Sequence, residues 1–159
     1  MRKIVSFSLL LLCMITTNQV YAYSPQSLPV SQHSKQWKVN IDEINDSGKN
    51  ILQSKKDVFH TYRFSVQNIG KDEVYNVQVE VFRNEPNTGT KYELFSLEEP
   101  RLASGKTGFE HANFPVSVKA DEVDVMITWQ DHPFHVMRNG QKIEGRKYTE
   151  HFVFKETVK

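Results

Sequence analysis

The stretch Val74–Phe82, VYNVQVEVF, constrains the fold of this chain more than any other feature. Side chains along a strand point alternately to opposite faces, so Tyr75, Val77, Val79 and Val81 share one face and Asn76, Gln78 and Glu80 the other. EVDVMITW repeats the pattern with Val123, Val125, Ile127 and Trp129 set against Asp124, Met126 and Thr128. The same period places Trp37, Val39 and Ile41 together, then Tyr62, Phe64 and Val66, and near the C-terminus Tyr148, Phe152 and Phe154. KYELFSL reads as a further short strand, and GFEHANFPV as an edge strand, because Pro115 has no N–H to give to a ladder. No window of helix length carries a 3.6-residue period. Turn chemistry punctuates the strands. NIGKDE is a turn with Gly70 expected at positive φ, and NEPNTGT is a loop. EEPRLASGKTG is a longer connection, and Asn139-Gly140 is a two-residue hairpin signal. Seven to nine short strands at regular spacing predict an antiparallel sandwich or barrel.

The N-terminus is read apart from the fold. Arg2 and Lys3 precede an apolar run from Ile4 to Ile15, and Val20-Tyr21-Ala22 offers short residues to a signal peptidase. The run is well below the ~20 residues that span a bilayer, so residues 1–22 read as a signal peptide cleaved after Ala22. The lone cysteine, Cys13, follows Leu12 rather than a small residue, which argues against lipidation. The mature chain then has no cysteine and no transmembrane segment, and must be held by its core alone. Residues 23–35 carry two prolines and four serines without a period and read as a flexible leader; residues 36–159 form a single domain. Loss of Arg2 and Lys3 leaves 18 basic against 19 acidic residues, a net charge of −1. A near-neutral chain without a basic block gives no electrostatic reason to expect nucleic acid or an anionic membrane as partner.

Three segments resemble the bacterial immunoglobulin-like modules of the CARDB and FxLYD type: FSVQNIGKDEVYNVQVEVF, the connection ending LASGKTGF, and EVDVMITWQD. The resemblance covers about 70 residues, Tyr62 to Asp131, and departs after Asp131, where the segment around Asn139-Gly140 is an addition. It implies an immunoglobulin/fibronectin-III-like antiparallel β-sandwich used for binding, adhesion or spacing, and it carries no catalytic residues.

Six histidines remain in the mature chain. His132 and His135 lie close together beside Asp131, but three apart on a strand they would face opposite ways unless Pro133 bends the chain. His135 and Met137, two apart, would share a face and present an imidazole and a thioether to one soft ion such as copper, with Met126 as a third ligand. This H-x-M pair is similar to half of the motif of exported β-sandwich copper carriers; the other half, an upstream histidine and methionine at long fixed spacing, is not clear in this sequence. Paired carboxylates Glu98-Glu99 point apart on a strand and make no acid/base pair. SGKTG lacks phosphate-loop spacing, and no nucleophile signature occurs, so no enzyme is predicted.

Most aromatics fall on the core phase. Phe82 and Phe95 fall off it, as do Phe59 and Phe134, and Tyr92, Phe95 and Leu97 flank the NEPNTGT loop. Tyr92, Phe95, Leu97 and Phe82 are therefore the expected members of an exposed apolar partner-binding patch. The function this supports is a secreted, non-enzymatic immunoglobulin-like binding module of the cell envelope, with an exported protein or wall component as partner. The alternatives are an exported copper carrier and an inhibitor of an exported enzyme.

Overall fold

The computed structural model describes residues 30–44 and 50–155. The expected signal peptide and the first part of the leader lie outside the described residues. Ten strands follow in order: β1 (Val30–His33), β2 (Trp37–Glu43), β3 (Phe59–Asn68), β4 (Val74–Asn84), β5 (Lys91–Leu102), β6 (Thr107–Ser117), β7 (Glu122–Gln130), β8 (Phe134–Val136), β9 (Lys142–Glu144) and β10 (Lys147–Lys155). They form two four-stranded antiparallel sheets, ordered β1-β2-β3-β6 and β10-β7-β4-β5, and a separate two-stranded hairpin, β8-β9. The expected all-β sandwich is the observed one.

Inner faces of the two sheets supply the core. Trp37, Val39 and Ile41 of β2 and Phe64 and Val66 of β3 are fully buried, opposite Val77, Val79 and Val81 of β4 and Val123, Val125 and Ile127 of β7. Each such side chain contributes about 1.5–3 kcal/mol of apolar burial. Two aromatic clusters pin the sheets together. At one end Trp37 meets Trp129 edge-on, ring centres 5.4 Å apart, and Tyr148 stacks on the far face of Trp129 at 5.5 Å. At the other end Phe64, Phe95 and Phe114 contact one another edge-on at 5.4–5.7 Å.

The chain changes sheet between β3 and β4, between β5 and β6, and between β6 and β7. NIGKDE is thus an arch between sheets rather than a hairpin. Its organiser is Asn68, which is wholly buried. The Asn68 amide donates to the carbonyls of Asp72 at 3.0 Å and Leu102 at 3.1 Å, and its Oδ1 accepts from Gln36 Nε2 at 2.7 Å and the Gly70 N–H at 3.0 Å. One amide side chain therefore ties the arch to the end of β5. Gly70 does not take positive φ; positive φ falls at Gly105 and Gly140. The Gln36 side-chain amide lies close over Gly70, so an added Cβ there would displace the end of that side chain.

Three further differences from the sequence reading have local causes. The flexible leader does not extend through residue 35, because Val30–His33 pairs with β2 and Gln32 Nε2 reaches the carbonyl of Val153 on β10 at 2.8 Å. KYELFSL is not short: β5 runs through Glu98, Glu99 and Pro100, and a proline is accommodated because β5 is an edge strand. The β4–β5 ladder also skips Asn76, which would otherwise face Pro100. Tyr75 is not on the core face. Asn76 sits at φ 47° in a bulge, where pairing with β7 slips between Tyr75 and Gln78, and Val74 is buried in its place. Pro115 marks an edge strand as expected, β6.

Candidate functional site at the β8–β9 hairpin

β7 and β10 are neighbours in one sheet, and a turn of two residues would connect them. The chain instead spends Asp131–Arg146 on a hairpin that stands off the end of the sandwich. Its base is built from the Asp131 carboxylate and the backbone groups around it. Asp131 Oδ1 accepts the N–H of His132 at 2.8 Å and of Arg146 at 3.0 Å, and the Asp131 N–H donates to the Arg146 carbonyl at 3.3 Å. Burial alone would raise the Asp131 carboxyl, but the two backbone N–H groups and then the His135 and His132 imidazoles outweigh it and hold it below the usual aspartate value. Gly145 is buried against the same corner, where any Cβ would overlap the His132 carbonyl oxygen.

Above the base, Phe134 pairs with Glu144, His135 with Ile143, and Val136 with Lys142. The loop is longer than the two residues expected. Met137 and Gln141 close it through Met137 N–H to Gln141 C=O at 2.8 Å, and Gly140, at φ 82°, donates to the Met137 carbonyl at 2.9 Å. This is a three-residue loop, Arg138-Asn139-Gly140, with glycine in the left-handed position. Asn139 Oδ1 accepts the Gln141 N–H at 3.0 Å and stiffens it.

The side chains on this frame are apolar and wet. Phe134, Val136, Met137 and Ile143 are 43–63% exposed. Directly opposed residues on paired strands share a face, so Phe134 and Val136 lie on one side and Ile143 on the other. Lys142 covers part of Phe134 with its ammonium 4.3 Å from the ring centre. Beneath the base lies a cleft of about 460 Å³ lined by Gln36, Glu73, Tyr75, Trp129, His132 and Tyr148, among others. Glu73 accepts from the Tyr75 hydroxyl at 2.6 Å and from Arg101 Nε at 2.6 Å, and these bonds hold its carboxyl below the usual glutamate value.

The expected metal ligands fall in two places. His135 and Met137 are on the hairpin; Met126 lies on β7, in a row with Glu80 of β4 and His151 of β10. Met126 is about 13 Å along β7 from Gln130, where the hairpin leaves the sheet. His132 and His135 do meet, with ring centres 5.2 Å apart across the bend at Asp131–Pro133, and His135 Nε2 is 3.6 Å from Asp131 Oδ1. Among the described residues, no group of three or more histidine, cysteine or carboxylate side chains is placed to hold a metal ion.

The expected partner-binding patch does not assemble. Phe95 and Leu97 pair with Val81 and Val79 and pack against the core. Phe95 lies 4.7 Å from the His111 ring as well as against Phe64 and Phe114. The cause is a slip in the β4–β5 ladder at Leu94, which reverses the phase between Glu93 and Phe95. Phe82 is half-buried on the outer face opposite Asp124 and Glu93, and Tyr92 alone of the four is widely exposed, with Arg83 4.8 Å over its ring. The exposed apolar surface is Phe134, which the sequence reading places off the core phase, with Val136 and Ile143, which it does not single out. Its signal was legible as apolar residues on both phases of strand arms too short to enter a core.

A leader of the secretory type and a disulfide-free β-sandwich define a secreted all-β protein. A family model described as "YozF-like secreted protein" matches residues 21–159, and the chain belongs to that family. It is similar to "Uncharacterized protein YozF" of Bacillus subtilis (strain 168), with 26% identity over 152 residues, covering 87% of this chain and 86% of the relative. No solved structure matches the chain. The protein is secreted.

Proposed function

We propose that this secreted protein is a non-enzymatic, immunoglobulin-like binding module of the cell envelope whose contact surface is the β8–β9 hairpin. The observation that carries the reading is the contrast between base and tip. The Asp131 carboxylate and the backbone of Arg146 and Gly145 fix the base, while four large apolar side chains above it stay in water. A fold does not keep such residues exposed on a fixed projection for its own stability, and apolar surface of this kind marks interaction sites. The immunoglobulin-like assignment is supported by the sheet order. A β2-β3-β6 layer faces a β10-β7-β4-β5 layer, with strands switching sheets between, as in immunoglobulin-type sandwiches.

Capture from an envelope fraction, comparing the native protein with a Phe134→Ser/Val136→Ser/Ile143→Ser variant, tests this. Loss of retention in the variant with an unchanged unfolding midpoint is the expected result. Equal retention by both proteins, or turnover of an envelope substrate that survives the triple substitution, contradicts it.

A further inference from the structure

We infer that the hairpin docks the protein on an anionic phospholipid surface, an inference that rests on the hairpin being the contact surface. Charge is the first observation. From His132 to Ile143 there is no carboxylate, while Arg138 and Lys142 are there and Arg146 and Lys147 follow at the base. The two carboxylates of the segment lie at its foot, Glu144 directly opposite Phe134. Asp131 is engaged with the backbone N–H groups of His132 and Arg146, and Glu144 lines a cleft on the sheet together with Lys147. Asp131–Lys147 thus carries four cations against two carboxylates, a net of +2, within a mature chain of net −1; the remainder is −3. A whole-chain average hides this polarity. An anionic surface attracts the hairpin and repels the rest of the molecule, which sets the orientation of approach.

Shape is the second observation. Apolar side chains project from both faces of the hairpin, Phe134 and Val136 on one and Ile143 on the other, with Met137 at the tip. A protein groove that accepts one face leaves the other in water, whereas a lipid interface surrounds the projection. The three-residue arms are about 10 Å long, matching the depth to which interfacial elements seat between headgroups and acyl chains. Lys142, lying over Phe134, is placed to leave its stem among the apolar groups and its ammonium at phosphate level.

The test is sedimentation of the secreted protein with vesicles of phosphatidylcholine alone and of phosphatidylcholine with phosphatidylglycerol in equal parts. Two variants accompany it: Arg138→Glu/Lys142→Glu and Phe134→Ser/Val136→Ser/Ile143→Ser. Binding to the anionic vesicles at least about tenfold tighter than to neutral ones, weakened about tenfold or more by either variant and by added salt, is the expected result. Absence of binding to anionic vesicles, or binding that both variants leave intact, overturns the lipid inference. The same samples are run for self-association and for hairpin-dependent capture of a soluble exported protein. A positive result there without lipid binding retains the hairpin as contact surface and overturns lipid as its partner. Failure of all three assays overturns both readings.

Discussion

Asp131 Oδ1 accepts the backbone N–H of Arg146 at 3.0 Å, joining two residues fifteen positions apart across the foot of the β8–β9 hairpin. The same oxygen takes the His132 N–H, so one carboxylate closes the projection onto the sandwich. Replacement by alanine removes both acceptor contacts while leaving the core untouched. Amide exchange at His132 and Arg146 is expected to accelerate by about tenfold or more in Asp131→Ala, with little change at β7 core amides. The carboxyl is held below its ordinary value of 3.8, so its contribution is complete above that pH and is lost as pH falls through the lower folded value. Acidification below about pH 4 should therefore loosen the hairpin in the native protein and change nothing further in the variant.

Phe95 and Tyr92 make a paired prediction. Phe95 packs edge-on against Phe64 and Phe114, and Tyr92 lies in water beneath Arg83. Phe95→Ala should cost about 2–4 kcal/mol in chemical denaturation. Tyr92→Ala should stay within about 0.5 kcal/mol of the native value.

Asn68 makes a third. Its removal leaves the buried Leu102 carbonyl and the Gln36 amide without their partner. Asn68→Ala is expected to cost about 3 kcal/mol, because several buried hydrogen bonds fail together. Asn68→Asp should be no milder: a carboxylate has no N–H for the Asp72 and Leu102 carbonyls and sets a charge against them.

Tyr62 gives an alkaline signature. Burial, and then the nearby Glu43 carboxylate, push its phenol up to about 12. The unfolded phenol ionises near 10, so the folded state alone keeps its proton between these values, and stability falls as pH rises from about 10 to about 12. Spectrophotometric titration should show one tyrosine ionising last, and Tyr62→Phe should remove that step.

The period-2 valines of β4 and β7 made the sandwich legible, because alternation is local to each strand. What alternation could not carry was phase across a bulge. Alternation puts Tyr75 on the core face and Phe95 off it; both are reversed because Asn76 and Leu94 interrupt the ladders, and a bulge depends on the partner strand as much as on its own residues. β1 is not legible for a related reason: VSQH pairs through backbone along β2 and has little apolar pattern of its own. The hairpin was half legible. Asn139-Gly140 announces a turn, but alternation within a strand does not say whether the flanking arms reach a core. The exposure of Val136 and Ile143 follows from arms only three residues long that reach no second sheet.

The central claim is that the molecule meets its partner through the hairpin, and site-directed photo-crosslinking tests it most directly. A photoreactive side chain is placed instead of Val136 in one preparation and instead of Tyr92 in another, and each is irradiated in its own envelope. The account predicts adducts, to lipid or protein, from position 136 and few from position 92. Adducts from position 92 with none from position 136 would contradict it.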